Sequence, residues 1–506
     1  MSTPADASLA RLEGIAASGD FVTAPDELAQ YEIDGVAPRA GIRASSADQV
    51  VEILRAAFSE RLAVIPVGNA TQLGVGSPPA RYDVALVLSK LSQRLGYDPG
   101  DLTLTAGAGM TIGMLSLELQ KHGQFLPLDS LAGDFATVGG ILATNSSGPL
   151  RHAYGTARDF VLGLDYVNGE GARTKSGGRV VKSVAGYDIH KLHIGALGSL
   201  GVILSANFKT FPLPATQATF VVRFAEADGA LKLRAAVAAS DLQPRAFDMV
   251  SPEAARFLRH TDAAKADHLD VPDVDWEDTR KYVGEEKAAE YKKKYDEAAA
   301  LAQESIAQAK SAPLFSEKYW TVLIAAGGNE RVVERHCRDL EALAEQAGAA
   351  SFSEARPEDS PEGCEEWRWI RSFPDCARRT SPAAAILKVT VLPSAFAAVI
   401  SATKRSAEQN DVPIAAMVRA AGVVSCAVTP RENDDAAITE LAAVCEEIIA
   451  AARKAGGSAV IELCPPALKR KMNIWGVPRG DIELMRRLKK EFDPAGILAP
   501  GRMMGL

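Results

Sequence analysis

The positions that could do chemistry in this sequence are mostly positions where side chains are small or missing. Four segments rich in glycine and small residues follow one another: PVGNATQLGVGSPP (66–79), FLPLDSLAGDFATVGGILATNSSGPLRHAYGTARDFVLG (125–163), SGGRVVKSVAGYDIHKLHIGALGSLGVI (176–203) and LAPGR (498–502). Glycine permits positive φ, so successive backbone N–H groups can converge on an anion. The first segment directly follows a strand pattern, and a diphosphate is the guest that most needs many donors and close backbone approach. Taken alone, a glycine-rich turn with no ligand is the commoner case. In the second segment, Gly139, Gly140, Ala143, Thr144, Ser146, Ser147 and Gly148 precede Tyr154 and Gly155, so main chain can lie against a flat ligand. In the third, Gly195, Gly198 and Gly201 recur every three residues, and a turn closing on Gly201-Val202-Ile203 would press main chain against an elongated one.

Two familiar phosphate loops are excluded. GAGMTIG (107–113) has its third glycine one position late for a Rossmann turn, and no convincing ribose-binding acid at a strand end follows about 20 residues on. GNATQLG lacks the Gly-Lys-Ser/Thr ending of a P-loop. Metal chemistry finds little support. His190 and His193 are spaced i, i+3 and could share a helix face, but no third ligand accompanies them. None of the six cysteines lies in a C-x-x-C pair, as an iron–sulfur cluster or zinc ribbon would want; they read as buried or inert thiols of a reducing compartment.

Around these segments the chain is long enough for about three domains or one two-lobed unit, with 506 residues, 47% of them hydrophobic and 24% charged. The net charge is −8 and no basic block could track a phosphate backbone, which argues against nucleic-acid binding. No apolar stretch approaches the ~20 residues of a membrane helix, and the start MSTPADASLARLEG shows no secretory pattern. A soluble, cytoplasmic chain is the expectation.

Three zones differ in texture. Residues 1–214 alternate short apolar runs with glycines; LAVIPVG (62–68), DVALVLS (83–89), DLTLTAGAG (101–109), FVLGLDYVNG (160–169) and GVILSANFKTF (201–211) read as strands and TIGMLSLELQKHG (111–123) as a helix. Residues 215–470 read as an antiparallel α+β domain. Its strands are ATFVVRFA (218–225), KYWTVLIAAG (318–327), AAILKVTVLP (384–393), VVSCAVTP (423–430) and SAVIELC (458–464), and its helices include 330–348 and 434–456. Within it, 253–312 is charged, with an amphipathic helix through Tyr291, Tyr295, Ala298, Ala302 and Ile306. Residues 471–506 form a helix with the stripe Ile482, Met485, Leu488 and Phe492, ended by Asp493-Pro494, and an apolar tail that should pack back on the body.

In this order, the segments resemble the FAD-binding PCMH-type (vanillyl-alcohol oxidase-like) family, and within it the GlcE-type subunit of glycolate oxidase. The likeness rests on GNATQLGVGSPP, HGQFLPLD, ATVGGILATNSSGPLRHAYGTARDFVLG, GGRVVKSVAGYDIHKLHIGALGSLGVI and MRRLKKEFDPAGILAPGR. It implies an α+β architecture: a two-subdomain FAD-binding domain at 1–214, an α+β cap with an antiparallel sheet at 215–470, and a segment 471–506 that returns to the FAD domain. It also implies FAD as cofactor. Pro66, Val67, Gly68, Asn69, Ala70 and Thr71 would wrap the diphosphate. Thr137, Gly139, Gly140, Ala143, Thr144, Ser146 and Gly148 would line the path from flavin to ribityl chain, supported by Tyr154, Gly155 and Asp159. Gly186, Tyr187 and Asp188, with Gly195, Gly198, Gly201, Val202 and Ile203, would close on the flavin and the adenosine half.

Several positions depart from the family pattern. Ala70 stands in a loop where a run of glycines is usual. That loop has no histidine where some relatives attach flavin covalently, so FAD is expected to be non-covalent. Ala499 replaces the asparagine of an Asn-Pro-Gly tail, and Leu197 stands where catalytic relatives tend to have glutamate. The insertion 253–312 is longer than expected.

By the resemblance, the substrate is a small 2-hydroxy acid such as glycolate or D-lactate. Its oxidation needs a cation for the carboxylate, a base for the hydroxyl proton, and a donor or positive dipole near the flavin. Arg371 and Lys388 are candidates for the cation, and His152, His190 and His193 for the base; Trp475 can pack near the flavin. A second reading is an accessory, electron-passing FAD subunit that works with a paralogous FAD subunit and an iron–sulfur subunit, peripheral to the inner membrane through those partners. A third is a flavin-binding scaffold with no turnover of its own.

Overall fold

The computed structural model describes residues 4–130, 133–180, 186–264, 315–355, 365–476 and 480–505, with helical backbone also at 285, 289, 292 and 293. The charged insertion 253–312 and its expected amphipathic helix lie largely outside the described residues.

The amino-terminal lobe holds two sheets. In the first, Ala40–Arg43, Val84–Val87 and Val64–Val67 run parallel with Val84–Val87 in the middle, and Phe21–Val22 adds an antiparallel edge. The middle strand is buried at every position, which is why its sequence is uniformly apolar rather than alternating. The second sheet is antiparallel, in the order Arg94–Asp98, Thr103–Gly107, Val202–Lys209, Val161–Val167, Arg173–Gly177. Helix Ala47–Glu60 starts where the Ser46 side chain accepts a hydrogen bond from the Gln49 amide. It buries Val50, Ile53 and Leu54 against apolar residues of both sheets.

A larger sheet of eight antiparallel strands forms the cap. Its order is Ser351–Ala355, Thr216–Phe224, Trp320–Gly328, Ala246–Val250, Ile414–Arg419, Val423–Val428, Ala385–Thr390, Ser458–Leu463. One face is covered by helices Ala227–Ala239, Glu330–Gln346, Phe396–Asn410 and Asp435–Lys454. The opposite face packs Ala246, Val250, Met417, Ile386 and Ala427 against Pro252–Ala264 and Glu365–Thr380. Strand alternation puts Asp248, Arg419 and Lys388 on that same second face.

The strands Ala246–Val250 and Ile414–Arg419 and the helix Glu365–Thr380 carry no sequence-based expectation. IAAMVR is buried at all six positions, so no alternation marks it. The helix contains Pro374, a residue that argues against a helix on sequence.

The carboxy-terminal helix Ile482–Phe492 turns its apolar stripe inward, and Lys489 is buried with it. The Lys489 ammonium donates to Asp493 (2.6 Å) and to the carbonyls of Ser199 (2.8 Å) and Leu498 (2.7 Å). The tail then returns beside the first sheet: Val64 N donates to Ile497 O at 2.8 Å, Ala499 N donates to Val64 O at 2.9 Å, and Ile497, Leu498 and Ala499 are fully buried. Of the cysteines, Cys376, Cys426, Cys445 and Cys464 are buried and Cys337 is half-buried; Cys364 lies outside the described residues.

Candidate functional site

Three backbone segments converge beside the first sheet: the loop after strand Val64–Val67, the helix Val138–Thr144, and the turn leading into strand Val202–Lys209. Thr137 caps the helix, its hydroxyl accepting from Gly140 N at 3.2 Å. Gly68 must be glycine because a Cβ there would occupy the space of that Thr137 hydroxyl. Asn69 donates to Phe135 O at 3.0 Å. Gln72 joins the segments through Thr144 Oγ1 (2.7 Å) and Ser146 Oγ (3.1 Å). The third segment docks on the helix C-terminus, with Gly195 N on Leu142 O and Leu197 N on Ala143 O, both at 2.9 Å. Gly198, at φ 74°, lies so close that a Cβ would be 3.0 Å from the Pro66 ring.

Between these segments runs an open cleft of about 830 Å³, mouth included. Pro66–Thr71, Thr137, Gly139, Gly140, Ala143, Thr144, Gly198, Gly201 and Ile203 all line it. So do Gln72, Leu73, Ala108, His193, Leu197 and Arg502. His193 rests on the Tyr166 ring, centroids 3.9 Å apart, and burial pushes its imidazole down to about 4. Three positions that depart from the family pattern have left-handed backbone: Ala70 at φ 58°, Leu197 at 51° and Ala499 at 42°.

The other expected residues lie outside the cleft lining. Ser146 is one hydrogen bond behind it, through Gln72. Gly148 N donates to Asp129 at 2.8 Å. The Tyr154 hydroxyl accepts from Arg245 at 3.2 Å, and its ring packs on Phe125 and Phe211. Gly155 turns at φ 77° against Asp159, which closes a capping box with Thr156. Gly195 acts through its amide, and Val202 is buried in the strand core. Gly186, Tyr187 and Asp188 form a surface turn, with Tyr187 90% exposed and Asp188 paired to Lys191.

The loop is held from behind by a buried charge cluster that no sequence pattern announces. Lys469 donates to Asp34 (2.8 Å) and to the carbonyls of Gly74 (2.7 Å) and Gly76 (2.9 Å). Arg502 donates to the carbonyls of Leu73 (2.6 Å), Val75 (2.5 Å) and Ser77 (2.6 Å). Five successive carbonyls are thus satisfied by two cations, one from the cap and one from the tail. Trp475 stands nearby, its indole donating to Ser77 Oγ at 2.8 Å.

A second cluster lies where the helix segment meets the cap sheet. Arg419 donates to Ser147 O at 3.0 Å and faces Asp248 at 3.4 Å, both side chains almost fully buried. Burial raises the Asp248 carboxyl to about 7, against the pull of Arg419. Asp129 accepts from Gly148 N and Leu150 N, and burial pushes its carboxyl up despite those amides. Lys388 is closed on Glu462 at 2.9 Å. Arg371, on helix Glu365–Thr380, exerts its charge on Asp129. Of the three histidines named as bases, His193 lines the cleft and the other two stand apart. His152 packs against Phe247, its Nδ1 buried without a partner, and burial lowers its imidazole. His190 Nδ1 lies 3.2 Å from Ser176 Oγ, away from the cleft. Among the described residues, no three of His, Cys, Asp and Glu gather as metal ligands.

With the geometry fixed, comparison with known proteins identifies the chain. Residues 38–177 match the FAD-binding domain family, and residues 213–503 match the C-terminal domain of FAD-linked oxidases. The chain belongs to the FAD-linked oxidases. FAD is its cofactor, and it is an oxidoreductase. Glycolate oxidase subunit GlcD of Bacillus subtilis is 26% identical over 96% of this chain and 92% of its own length. Glycolate oxidase subunit GlcE of Escherichia coli is 32% identical, over 33% of this chain and 47% of its own length. The crystal structure of p-cresol methylhydroxylase with substrate bound superposes over 99% of this chain and 96% of its own with a TM-score of 0.72 at 15% identity, which shows a shared fold. The cleft of this FAD-linked oxidoreductase suits a dinucleotide: main chain of three segments walls it, and a Cβ at Gly68 or Gly201 would strike Thr137 or His193. Among the described residues, no helix is long and apolar enough to cross a membrane.

Proposed function

We propose that this FAD-linked oxidoreductase oxidises a small 2-hydroxy acid of the size of glycolate or D-lactate. The carrying observation is the direct connection between cradle and cap. Ser146 is tied to the cleft through Gln72, and the next residue, Ser147, is tied to the polar face of the cap sheet through Arg419. A substrate on that face therefore meets the cofactor end of the helix segment. The alignment with GlcD over nearly the whole chain supports the same substrate class.

When bound, FAD supplies hydride acceptance. Pro66–Thr71, Thr137, Gly139, Gly140, Ala143, Thr144, Gly198, Gly201 and Ile203 would hold it, and with no histidine in the 66–71 loop the attachment would be non-covalent. The clamp of Lys469 and Arg502 fixes the loop from behind. The cap sheet contributes fixed charges and covers the site, which strengthens electrostatic contacts by excluding water. Arg371 stands beside Asp129 as a cation toward the substrate carboxylate.

A second reading is an electron-passing subunit of a multi-subunit oxidase, of the GlcE or GlcD kind, with a paralogous FAD subunit and an iron–sulfur subunit. The partial likeness to GlcE and the position of His152 and His190 outside the cleft lining support it. Anaerobic addition of glycolate or D-lactate to the purified chain separates the two. Bleaching of the flavin band supports turnover by this chain. A flavin that stays oxidised until partner subunits are added supports the second reading, and one that stays oxidised even then contradicts both.

A further inference from the structure

The charges at the junction of cradle and cap do not balance. Among the described residues, Arg151, Arg371, Arg419 and Lys388 are four cations there, and Asp129, Asp248 and Glu462 three carboxyl groups. Most of these groups are engaged. Lys388 is closed on Glu462, and Arg419 is shared between Asp248 and the Ser147 carbonyl. Asp129 spends both oxygens on backbone amides, at 2.8 Å from Gly148 and 2.5 Å from Leu150.

Arg151 and Arg371 are the exceptions among the described residues, and Arg151 is the one with a defined anchor. It opens the short helix Arg151–Tyr154 and is half-buried. Its guanidinium makes one neutral hydrogen bond, 3.1 Å to Ser147 Oγ, and no ion pair among the described residues. A planar five-donor fork left with one neutral partner in a partly dry setting is matched by a carboxylate, which can accept two parallel N–H bonds. Its surroundings fix where that carboxylate would lie. Arg151 feels Arg419, Asp248 and Glu462 of the cap sheet and Asp129 of the amino-terminal lobe, so it stands at the seam between the lobes. Arg371 exerts its charge on Asp129, whose oxygens the two backbone amides already occupy. A second observation points the same way: Arg419 Nη2 and Asp248 Oδ1 are both buried with no hydrogen-bond partner. A buried guanidinium donor without an acceptor is costly unless something completes it.

We propose that Arg151 is the residue that holds the substrate carboxylate, in a site at the lobe seam near Arg419 and Glu462. The assignment rests on the 2-hydroxy-acid reading and deepens it: the substrate must present a carboxylate at the lobe seam, and that carboxylate offsets the surplus positive charge. Arg371, whose charge also reaches Asp129, flanks the site as its second cation.

The test uses oxalate, a small carboxylate with no α-hydrogen to lose, titrated calorimetrically into the purified full-length protein. The wild type is expected to bind oxalate, and Arg151→Ala to bind it about 30-fold more weakly, the loss expected for a charge-assisted bidentate contact. Arg151→Lys, which keeps the charge but not the fork, should fall between them. Flavin content should be unchanged, and for glycolate or D-lactate KM should rise while kcat changes little. Should the alanine variant lose its fold, Arg151→Gln replaces it, with the melting temperature as control. Oxalate affinity unchanged in the variants, or absent in the wild type, overturns the proposal. If oxalate binding depends on Arg151 while glycolate and D-lactate leave the wild-type flavin oxidised, the carboxylate site stands and the oxidation reading falls. If the wild type is bleached and Arg151→Ala alters neither affinity nor KM, the oxidation reading stands and the site falls.

Discussion

Two buried charge clusters flank the cofactor cleft, and they are built on opposite principles. Behind the loop, Asp34, Lys469 and Arg502 carry a surplus cation, yet their donors are directed at five successive carbonyls and one carboxylate. At the lobe seam, the Asp248–Arg419 pair leaves one oxygen and one nitrogen with no partner, and Arg151 has only a neutral hydroxyl. The first cluster is complete without a ligand; the second is not. The lesson is that surplus charge marks a binding site only where the local backbone has not already absorbed it.

Breaking the complete cluster should have the largest effect. Arg502→Ala strands the carbonyls of Leu73, Val75 and Ser77 and removes a buried cation, and a loss of about 3–5 kcal/mol is expected. Urea unfolding measures it. A loss below about 1 kcal/mol would mean that solvent replaces the arginine and the clamp is not closed.

The incomplete cluster should reveal itself through pH. Burial raises the Asp248 carboxyl to about 7 from an ordinary 3.8. A carboxyl protonated in the fold and ionised in the unfolded chain favours the fold fully below about pH 4, and that contribution fades as pH rises toward about 7. A displacement of that size corresponds to about 4 kcal/mol. The stability of the wild type relative to Asp248→Asn should therefore fall from about pH 4 to about pH 7 and then stay constant. A difference independent of pH would show a seam as well neutralised as the clamp.

The smallest effect sharpens the comparison at the front of the loop. Ala70 sits at φ 58°, where an L-residue costs about 1–2 kcal/mol, and the clamp behind holds it there. Ala70→Gly should gain about 1 kcal/mol or less, since glycine relieves the strain but adds freedom to the unfolded chain. Thermal unfolding reads the change. A loss of stability would mean that the packing of the Ala70 methyl on the cluster around Ile65 and Val67 outweighs the strain, contrary to the account.

The cradle was legible because close backbone approach demands small residues, and a run such as TVGGILATNSSG has little use for so many of them in an ordinary helix or strand. Pro66 to Thr71 and, from the capped helix, Thr137, Gly139, Gly140, Ala143 and Thr144 line the cleft. Residues 186–188 did not follow, because glycine also serves surface turns, and Tyr187 stands in solvent. The seam was illegible for a different reason. Arg151 and Arg419 lie far apart in sequence, on a one-turn helix and on a strand too evenly buried to show alternation. The clamp is equally hidden, since Asp34, Lys469 and Arg502 come from three separate parts of the chain. Long-range polar networks leave no periodic trace, whereas local backbone requirements do.

The central claim is that the loop, the capped helix and the glycine turn close around FAD without a covalent bond. Visible spectra of the purified wild type and of Gly68→Val, taken before and after acid precipitation, test it most directly. The account predicts a yellow wild type that releases its flavin to the acid supernatant, and a folded but colourless variant, because the valine side chain would occupy the Thr137 hydroxyl and hold the loop open. A variant as yellow as the wild type, or flavin that stays with the precipitate, would contradict it.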